Sequence, residues 1–450
     1  MDACPFACGW CCLFRSAREE EDMSRVLPVA EAARLRRKPH EKTLAKAAPV
    51  RSVVIYAMNY APELIGVGRY TTDIAEHMAK AGTAVTVVTA QPHYPSWSIQ
   101  QGYANGYSVA SENAVRIFRT PLVLRRKMRG IWRLVAPLTF AVASAPVAVW
   151  QILRQRPQSV LLVEPTLFAA PLAQLAARLV GARIVLHVQD LEVDAAFAVG
   201  HLADRPLPRF LANAFERFVL RRCDRVVTIA DCMADKLAAK GVPAHKLAVV
   251  RNWVDSETIF PLPHASPYRS ELGIAGDDFI VLYCGNIGAK QGLSVLLDAA
   301  ELLRSQARVR FVIAGDGPER AELVRRSTVL GNVMMLPLQP AERFNDFLNL
   351  ADLHVLPQRL QAADLVLPSK IGALLSTGRP IVATTPEGTE LARFLRGAAD
   401  FTPPGDASAL ADAILRAAAG EHGRCEALQA LGATLHRSRV LPRFMEAVRV

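Results

Sequence analysis

Two short apolar runs, each leading through a glycine-bearing loop into a helical pattern, constrain this 450-residue chain more than any other feature. The first is Val53-Val54-Ile55-Tyr56-Ala57, followed by Asn59-Tyr60-Ala61-Pro62-Glu63-Leu64-Ile65-Gly66-Val67-Gly68-Arg69. The second is Phe279-Ile280-Val281-Leu282-Tyr283-Cys284, followed by Gly285-Asn286-Ile287-Gly288-Ala289-Lys290-Gln291-Gly292. A run of this length without polar alternation reads as a parallel strand buried on both faces. Glycine lets the backbone approach an anion, and the helix start behind it offers free N–H groups and a favourable dipole. One such unit in each half implies two Rossmann-like α/β domains facing each other across a cleft, with a nucleotide-activated substrate between them.

The rhythm along the chain supports that reading. Strand patterns at 53–57, 84–89, 160–163, 183–187 and 225–229 alternate with helical stretches, as in a doubly wound parallel sheet. A proline-rich crossing, Phe260-Pro261-Leu262-Pro263-His264, then breaks the pattern. It restarts with strands at 279–284, 309–314, 333–336, 353–356 and 380–383. The expected organisation is a solvated leader over 1–50, a first domain over 51–255, a linker over 256–275, a second domain over 276–425 and a helical tail over 426–450. That tail is expected to close back on the first domain.

Hydrophobic residues make up 51% of the chain and charged residues 21%, so its body is globular. The net charge of +11 is unevenly spread, since residues 113–163 contain no Asp or Glu. They hold Arg116, Arg119, Arg125, Arg126, Lys127, Arg129, Arg133, Arg154 and Arg156. Such a stretch attracts an anionic membrane surface, a phosphorylated substrate or nucleic acid. The uncharged run 134–153 lies beside it, with Trp132 and Trp150 near its ends and Pro137 and Pro146 inside it. Its length and composition fit a buried helix, an interfacial helix or a span. A span would cut the first domain in two. No nucleic-acid-binding module accompanies the charge.

Four of the eight cysteines, Cys4, Cys8, Cys11 and Cys12, crowd the start of the chain without a following His or Cys pair of metal-ligand spacing. The others are scattered, which fits a reducing compartment rather than a disulfide framework.

Further pieces lie downstream. Gly315-Asp316-Gly317-Pro318 ends the strand pattern at 309–314, the position where open α/β sheets hold ligands. Leu367-Pro368-Ser369-Lys370 precedes a helical pattern that stops at Gly378-Arg379-Pro380, with Ser369 expected as its cap and Lys370 as added positive charge. Taken in order with Gly285…Lys290…Gly292, these segments resemble the donor domain of family 4 glycosyltransferases of the GT-B fold. In the first half, Tyr60-Ala61-Pro62-Glu63…Gly66-Val67-Gly68, Pro92-His93-Tyr94-Pro95 and His187-Val188-Gln189-Asp190-Leu191-Glu192-Val193-Asp194 resemble the branch that builds colanic-acid-type exopolysaccharides. The likeness covers about residues 52–450.

The resemblance implies a retaining transfer of sugar from a nucleotide-diphosphate sugar, which serves as co-substrate without a bound metal or other cofactor. The implied acceptor is a polyprenyl-diphosphate-linked saccharide. Transfer would take place in the cytoplasm, on the anionic inner face of the plasma membrane and without nucleic acid. Lys290 and Asp190 are the candidate catalytic residues. Gly66, Gly68, Asn286, Lys290, Gly315, Asp316, Ser369, Lys370 and Glu390 are the candidate donor contacts. His93, Tyr94, His187, Gln189 and Glu192 are the candidate acceptor contacts. Structural roles compete at several of these positions: an Asx turn or helix cap at Asp190, core packing at His187, and loop packing at His93, Tyr94 and Trp97. The chain also departs from many relatives, which carry two glutamates separated by seven residues where Leu365 and Ala373 stand, and an arginine where Asn286 stands. Asp364, Glu387 and Glu390 are the nearby carboxylates that would substitute. A nucleotide-sugar-binding scaffold without turnover is therefore the alternative function. An NAD-dependent oxidoreductase is weaker, because no Gly-x-Gly-x-x-Gly with a suitably placed acid is present.

Overall fold

The computed structural model describes residues 50–63, 66–125, 132–164, 167–191, 206–360, 367–421 and 425–449. The expected leader up to residue 49, Glu192, Asp364 and Leu365 lie outside them.

The first sheet has eight strands: β1 (Ser52–Ala57), β2 (Ala84–Ala90), β3 (Ser108–Glu112), β4 (Val115–Thr120), β5 (Ser159–Glu164), β6 (Arg183–Val188), β7 (Arg225–Thr228) and β8 (Leu247–Val249). Their order is β3-β4-β2-β1-β5-β6-β7-β8, and every pairing is parallel except β3 with β4. The helices α1 (Val67–Lys80), α2 (Trp132–Gln155), α3 (Ala170–Leu179), α4 (Pro206–Arg221) and α5 (Asp231–Ala239) connect these strands. The central strands β1 and β5 are apolar along almost their whole length because helices cover both of their faces.

The β3–β4 hairpin was not foreseen. Its turn is Asn113-Ala114, with both residues at positive φ (50° and 60°), as a two-residue hairpin loop requires. The hairpin also divides the basic stretch. Arg116 faces solvent on β4, whereas Arg119 is buried. Pro137 and Pro146 do not interrupt α2, which is one continuous helix of 24 residues. Phe140, Ala148 and Ile152 fix α2 in the core, and its Ser144 hydroxyl meets Tyr56 Oη at 2.5 Å.

The second sheet has the order β11-β10-β9-β12-β13-β14. Its strands are β9 (Phe279–Cys284), β10 (Val309–Ala314), β11 (Val333–Leu336), β12 (Leu353–Pro357), β13 (Ile381–Thr384) and β14 (Asp400–Thr402), all parallel. Around it lie α6 (Ser294–Leu302), α7 (Arg320–Ser327), α8 (Ile371–Ser376), α9 (Glu390–Phe394), α10 (Ala407–Ala418) and α11 (Cys425–Thr434).

The last helix, α12 (Arg437–Val448), returns to the first sheet as the sequence suggested. Val440, Leu441, Phe444 and Val448 share a buried cluster with Val53, Ile55 and Val85. The two chain crossings therefore run side by side. Val254 N donates to Leu435 O at 2.9 Å, and Arg437 N donates to Val254 O at 2.8 Å. Trp253 anchors this junction by donating its indole N–H to Asp73 at 2.8 Å, with its ring edge-on to Tyr70.

Candidate active site

Two clusters stand at the carboxyl ends of the strands, one on each sheet. In the second domain β9 and β10 run side by side, and the loops that leave them are laced together. Gly285 N donates to Ala314 O at 3.0 Å, Ile287 N to Asp316 O at 2.8 Å, and Glu319 N to Ile287 O at 3.1 Å. A side chain at Gly315 would place its Cβ 1.9 Å from Gly285 O, and one at Gly317 would lie 2.2 Å from Ile287 O. Both glycines also hold φ near 150°. Loop crossing, before any ligand is considered, thus dictates glycine at these positions.

Lys370 closes this cluster from α8. Its Nζ donates to Cys284 O at 3.1 Å and lies 3.7 Å from the centre of the Tyr283 ring. The Tyr283 hydroxyl donates to Asn286 O at 2.6 Å, which ties the same strand end to the loop. Burial pushes the Lys370 ammonium down to about 7, with the Cys284 thiol acting weakly in the opposite sense. Lys290 is half-buried; its carbonyl accepts from Arg359 N at 3.0 Å, but its side chain has no hydrogen-bond or ion-pair partner among the described residues, so its charge is uncommitted. Asn286 and Asp316 are exposed on the two laced loops, and Asp316 accepts from Gly317 N at 2.8 Å.

Two donor-side expectations change. Ser369 is exposed and does not cap α8, whose first turn has no side-chain cap. Glu390 is not open to a donor either. Its carboxylate reaches into the first domain, where it accepts from Asp231 N at 2.8 Å and Cys232 N at 2.7 Å at the start of α5. Arg251 approaches the same carboxylate at 3.2 Å. Burial raises the Glu390 carboxyl, but the Cys232 and Asp231 hydrogen bonds and the Arg251 charge outweigh it and hold the group below the ordinary carboxylate range. Glu390 is a clasp between the domains. Of the other carboxylates, Glu387 is exposed. The alanine at 373 packs against the core.

In the first domain Glu63 organises the loops after β1 and β2, a role that sequence reasoning missed. It is buried, accepting from Asn59 Nδ2 at 2.8 Å, His93 N at 2.8 Å and Tyr94 N at 2.9 Å. Gly68 packs directly against Glu63, and Gly66 lies under the Tyr94 ring, so neither needs a ligand to account for its place. His93 is fully buried, its Nδ1 set 2.9 Å from Gln91 O and its Nε2 left without a partner. It therefore packs within the loop rather than forming an open wall. Tyr94 is half-buried, edge-on to Trp97 at 5.9 Å, and remains partly open.

At the end of β6, His187 and Gln189 are buried as well. His187 lies against Phe444 of α12 at 4.9 Å, and burial pushes its imidazole down to about 3, so it is neutral. Its Nε2 faces the Gln189 amide at 3.1 Å, and Gln189 exchanges two hydrogen bonds with Asn252. Neither side chain is available to an acceptor. Their network fixes the backbone that presents Asp190, which is half-buried and has no side-chain partner among the described residues.

Known proteins share this fold and family. The family described as "Glycosyl transferase 4-like domain" matches residues 66–253, and "Glycosyl transferases group 1" matches residues 278–419. WcaI of Escherichia coli (strain K12), whose description places it among colanic acid biosynthesis glycosyl transferases, is 34% identical over 88% of this chain and 99% of its own length. The alpha-D-kanosaminyltransferase of Streptomyces kanamyceticus is 29% identical over 46% of this chain and 54% of its own. Among solved structures, sucrose-phosphate synthase from Thermosynechococcus elongatus aligns with a TM-score of 0.64 at 16% identity, covering 89% of this chain and 98% of that one. Anabaena HepE in complex with UDP and glucose aligns with a TM-score of 0.61 at 16% identity, covering 89% and 99%. The two parallel-sheet domains are the GT-B fold, and the chain belongs to the glycosyltransferases of the 4-like and group 1 families.

Proposed function

We propose that this glycosyltransferase moves a sugar from a nucleotide-diphosphate sugar to a polyprenyl-diphosphate-linked saccharide in exopolysaccharide biosynthesis of the colanic-acid type. Transfer retains the anomeric configuration and needs no bound metal or other cofactor. The enzyme works on the inner face of the plasma membrane. The near full-length likeness to WcaI carries the assignment of pathway class, and the UDP and glucose held by HepE support the donor class. The uncommitted Lys290 side chain, on the loop that follows β9, carries the proposed chemistry, and Lys370 meets the end of the same strand at Cys284 O. A leaving diphosphate gains negative charge as the glycosidic bond breaks, and cations fixed in advance stabilise it without reorganising. Asp190 is the proposed carboxylate facing the sugar from the first domain.

The decisive test pairs donor binding with transfer. UDP-, GDP- and dTDP-sugars are screened by thermal shift in EDTA, and the binder is then supplied with a lipid-linked saccharide extract. Product stereochemistry is read by NMR. Lys290→Ala should lower turnover by roughly two to three orders of magnitude while leaving the circular dichroism unchanged. Near-normal turnover would remove Lys290 from the mechanism. Binding without transfer to any acceptor would favour the scaffold.

A further inference from the structure

The helical layer on one face of the first sheet is turned inside out. In α3 the small residues Ala173, Ala176 and Ala177 face the sheet, while Leu172, Leu175 and Leu179 stand 54, 57 and 71% exposed. Their spacing puts the three leucines along one stripe. In α2, Leu138, Val142, Pro146 and Trp150 recur every fourth residue on the solvent side, with Val142 70% and Trp150 60% exposed. Helices covering an α/β sheet ordinarily turn polar residues outward. The layer is continuous. α2 packs beside α3, Phe168 stacks on Phe215 of α4 at 5.6 Å, and Gln174 of α3 donates to Val219 O of α4 at 3.0 Å. Connected apolar exposure of this extent marks an interaction surface.

Charge identifies the occupant. α2 and α3 contain no Asp or Glu, and the single acid of α4, Glu216, is buried against Lys240 at 2.6 Å. Among the described side chains, the exposed charges of the three helices are Arg154, Arg178, Arg209, Arg217 and Arg221. Large apolar side chains among arginines, with no exposed carboxylate on the three helices themselves, suit the boundary between anionic headgroups and acyl chains. Trp150 suits the same depth. By length and composition Leu134–Gln155 matches a membrane span, yet half of it is packed inside the fold, which fixes it along the surface. A groove of about 710 Å³ between α2 and the β3–β4 hairpin opens beside Trp150, with Arg116 and Arg154 on its lining.

We propose that the α2–α3–α4 face docks the enzyme flat onto an anionic lipid bilayer. The inference takes up the membrane-surface part of the function above and assigns it to two helices, α3 and α4, beyond the basic stretch of the sequence. It is tested by co-sedimenting the full chain with vesicles of phosphatidylcholine alone or mixed with phosphatidylglycerol, at low and high salt. Binding is expected only to the anionic vesicles and should weaken with salt. Leu172→Gln/Leu175→Gln/Leu179→Gln should reduce partitioning roughly tenfold or more without lowering the melting temperature. Arg178→Gln, Arg217→Gln and Arg221→Gln should each cost about fivefold. Wild-type partitioning by the leucine variant would overturn the proposal. So would equal, salt-independent binding to both vesicle types, or a wild-type dimer that the leucine variant dissociates while vesicle binding persists. Transfer to acceptor in detergent is measured separately. Its loss with vesicle binding intact would count against the catalytic reading and leave the docking face standing.

Discussion

Lys370 should couple binding at the proposed diphosphate site to pH. Its ammonium lies among the Cys284 carbonyl, the Tyr283 ring and the core, with no carboxylate beside it among the described residues, and burial pushes it down to about 7. At about pH 8 only about one chain in ten then carries the charge, and a diphosphate that requires the ammonium must recruit a proton on binding. Affinity should therefore fall about tenfold, or roughly 1.4 kcal/mol, for each pH unit above neutrality. Isothermal titration of UDP or inorganic pyrophosphate at about pH 8, in two buffers of different ionisation enthalpy, should register uptake of about 0.9 proton. Arg stays charged throughout this range, so Lys370→Arg should abolish the uptake and flatten the pH profile even where its affinity near neutrality is lower. Proton-neutral binding by the wild type, or uptake undiminished in Lys370→Arg, would refute the reasoning. The sign for stability is the reverse. The unfolded chain binds the extra proton between about pH 7 and the ordinary lysine value, so the ligand-free protein gains stability as pH rises through that window.

Other positions give sharp expectations. Gly315→Ala places a methyl group 1.9 Å from the Gly285 carbonyl at φ 150°, where no flexible side chain can yield, and should cost more than about 3 kcal/mol in urea unfolding. A midpoint close to wild type would show that the two loops can separate. Glu390→Gln should cost about 1.5–3 kcal/mol by weakening the charge-assisted bonds to α5 and Arg251. Because the folded carboxyl is held low, that contribution is present above the unfolded value near about 4 and lost as pH falls. The gap between wild type and variant should accordingly close in acid, and a constant gap would remove the charge from the account. His187 and His354 are both pushed down to about 3 by burial, so each makes the fold less stable as pH drops from about 6.5. His187→Gln should roughly halve that slope, and an unchanged slope would show that other groups dominate acid unfolding.

The strands were legible because their signal is local. Runs such as 53–57 and 279–284 are apolar on both faces, as parallel strands under two helical layers must be. The edge strand β3 escaped notice because Ser108–Glu112 is short, mostly exposed and weakly patterned. The order of strands was equally hidden, since pairing β12 with β9 depends on segments far apart in the chain. Sequence also picked out segments that the fold gathers at the candidate site. It named Lys290 and Lys370, Asp190, and the loops at 60–68, 92–95, 285–292 and 315–318.

Sequence alone therefore determined the fold class and the family, through local apolar runs, loop glycines and the order of the motifs. Tertiary structure decided what individual side chains do. His187 is neutral and closed because Phe444 returns from the end of the chain to cover it. Glu390 clasps α5 because that helix brings its free N–H groups to it across the domain junction. Gly315 must be glycine because Gly285 O passes beneath it. The apolar face of α2 and α3 appears only when one knows which side of each helix the sheet has taken. Burial and partner geometry arise from long-range packing, and no local pattern encodes them.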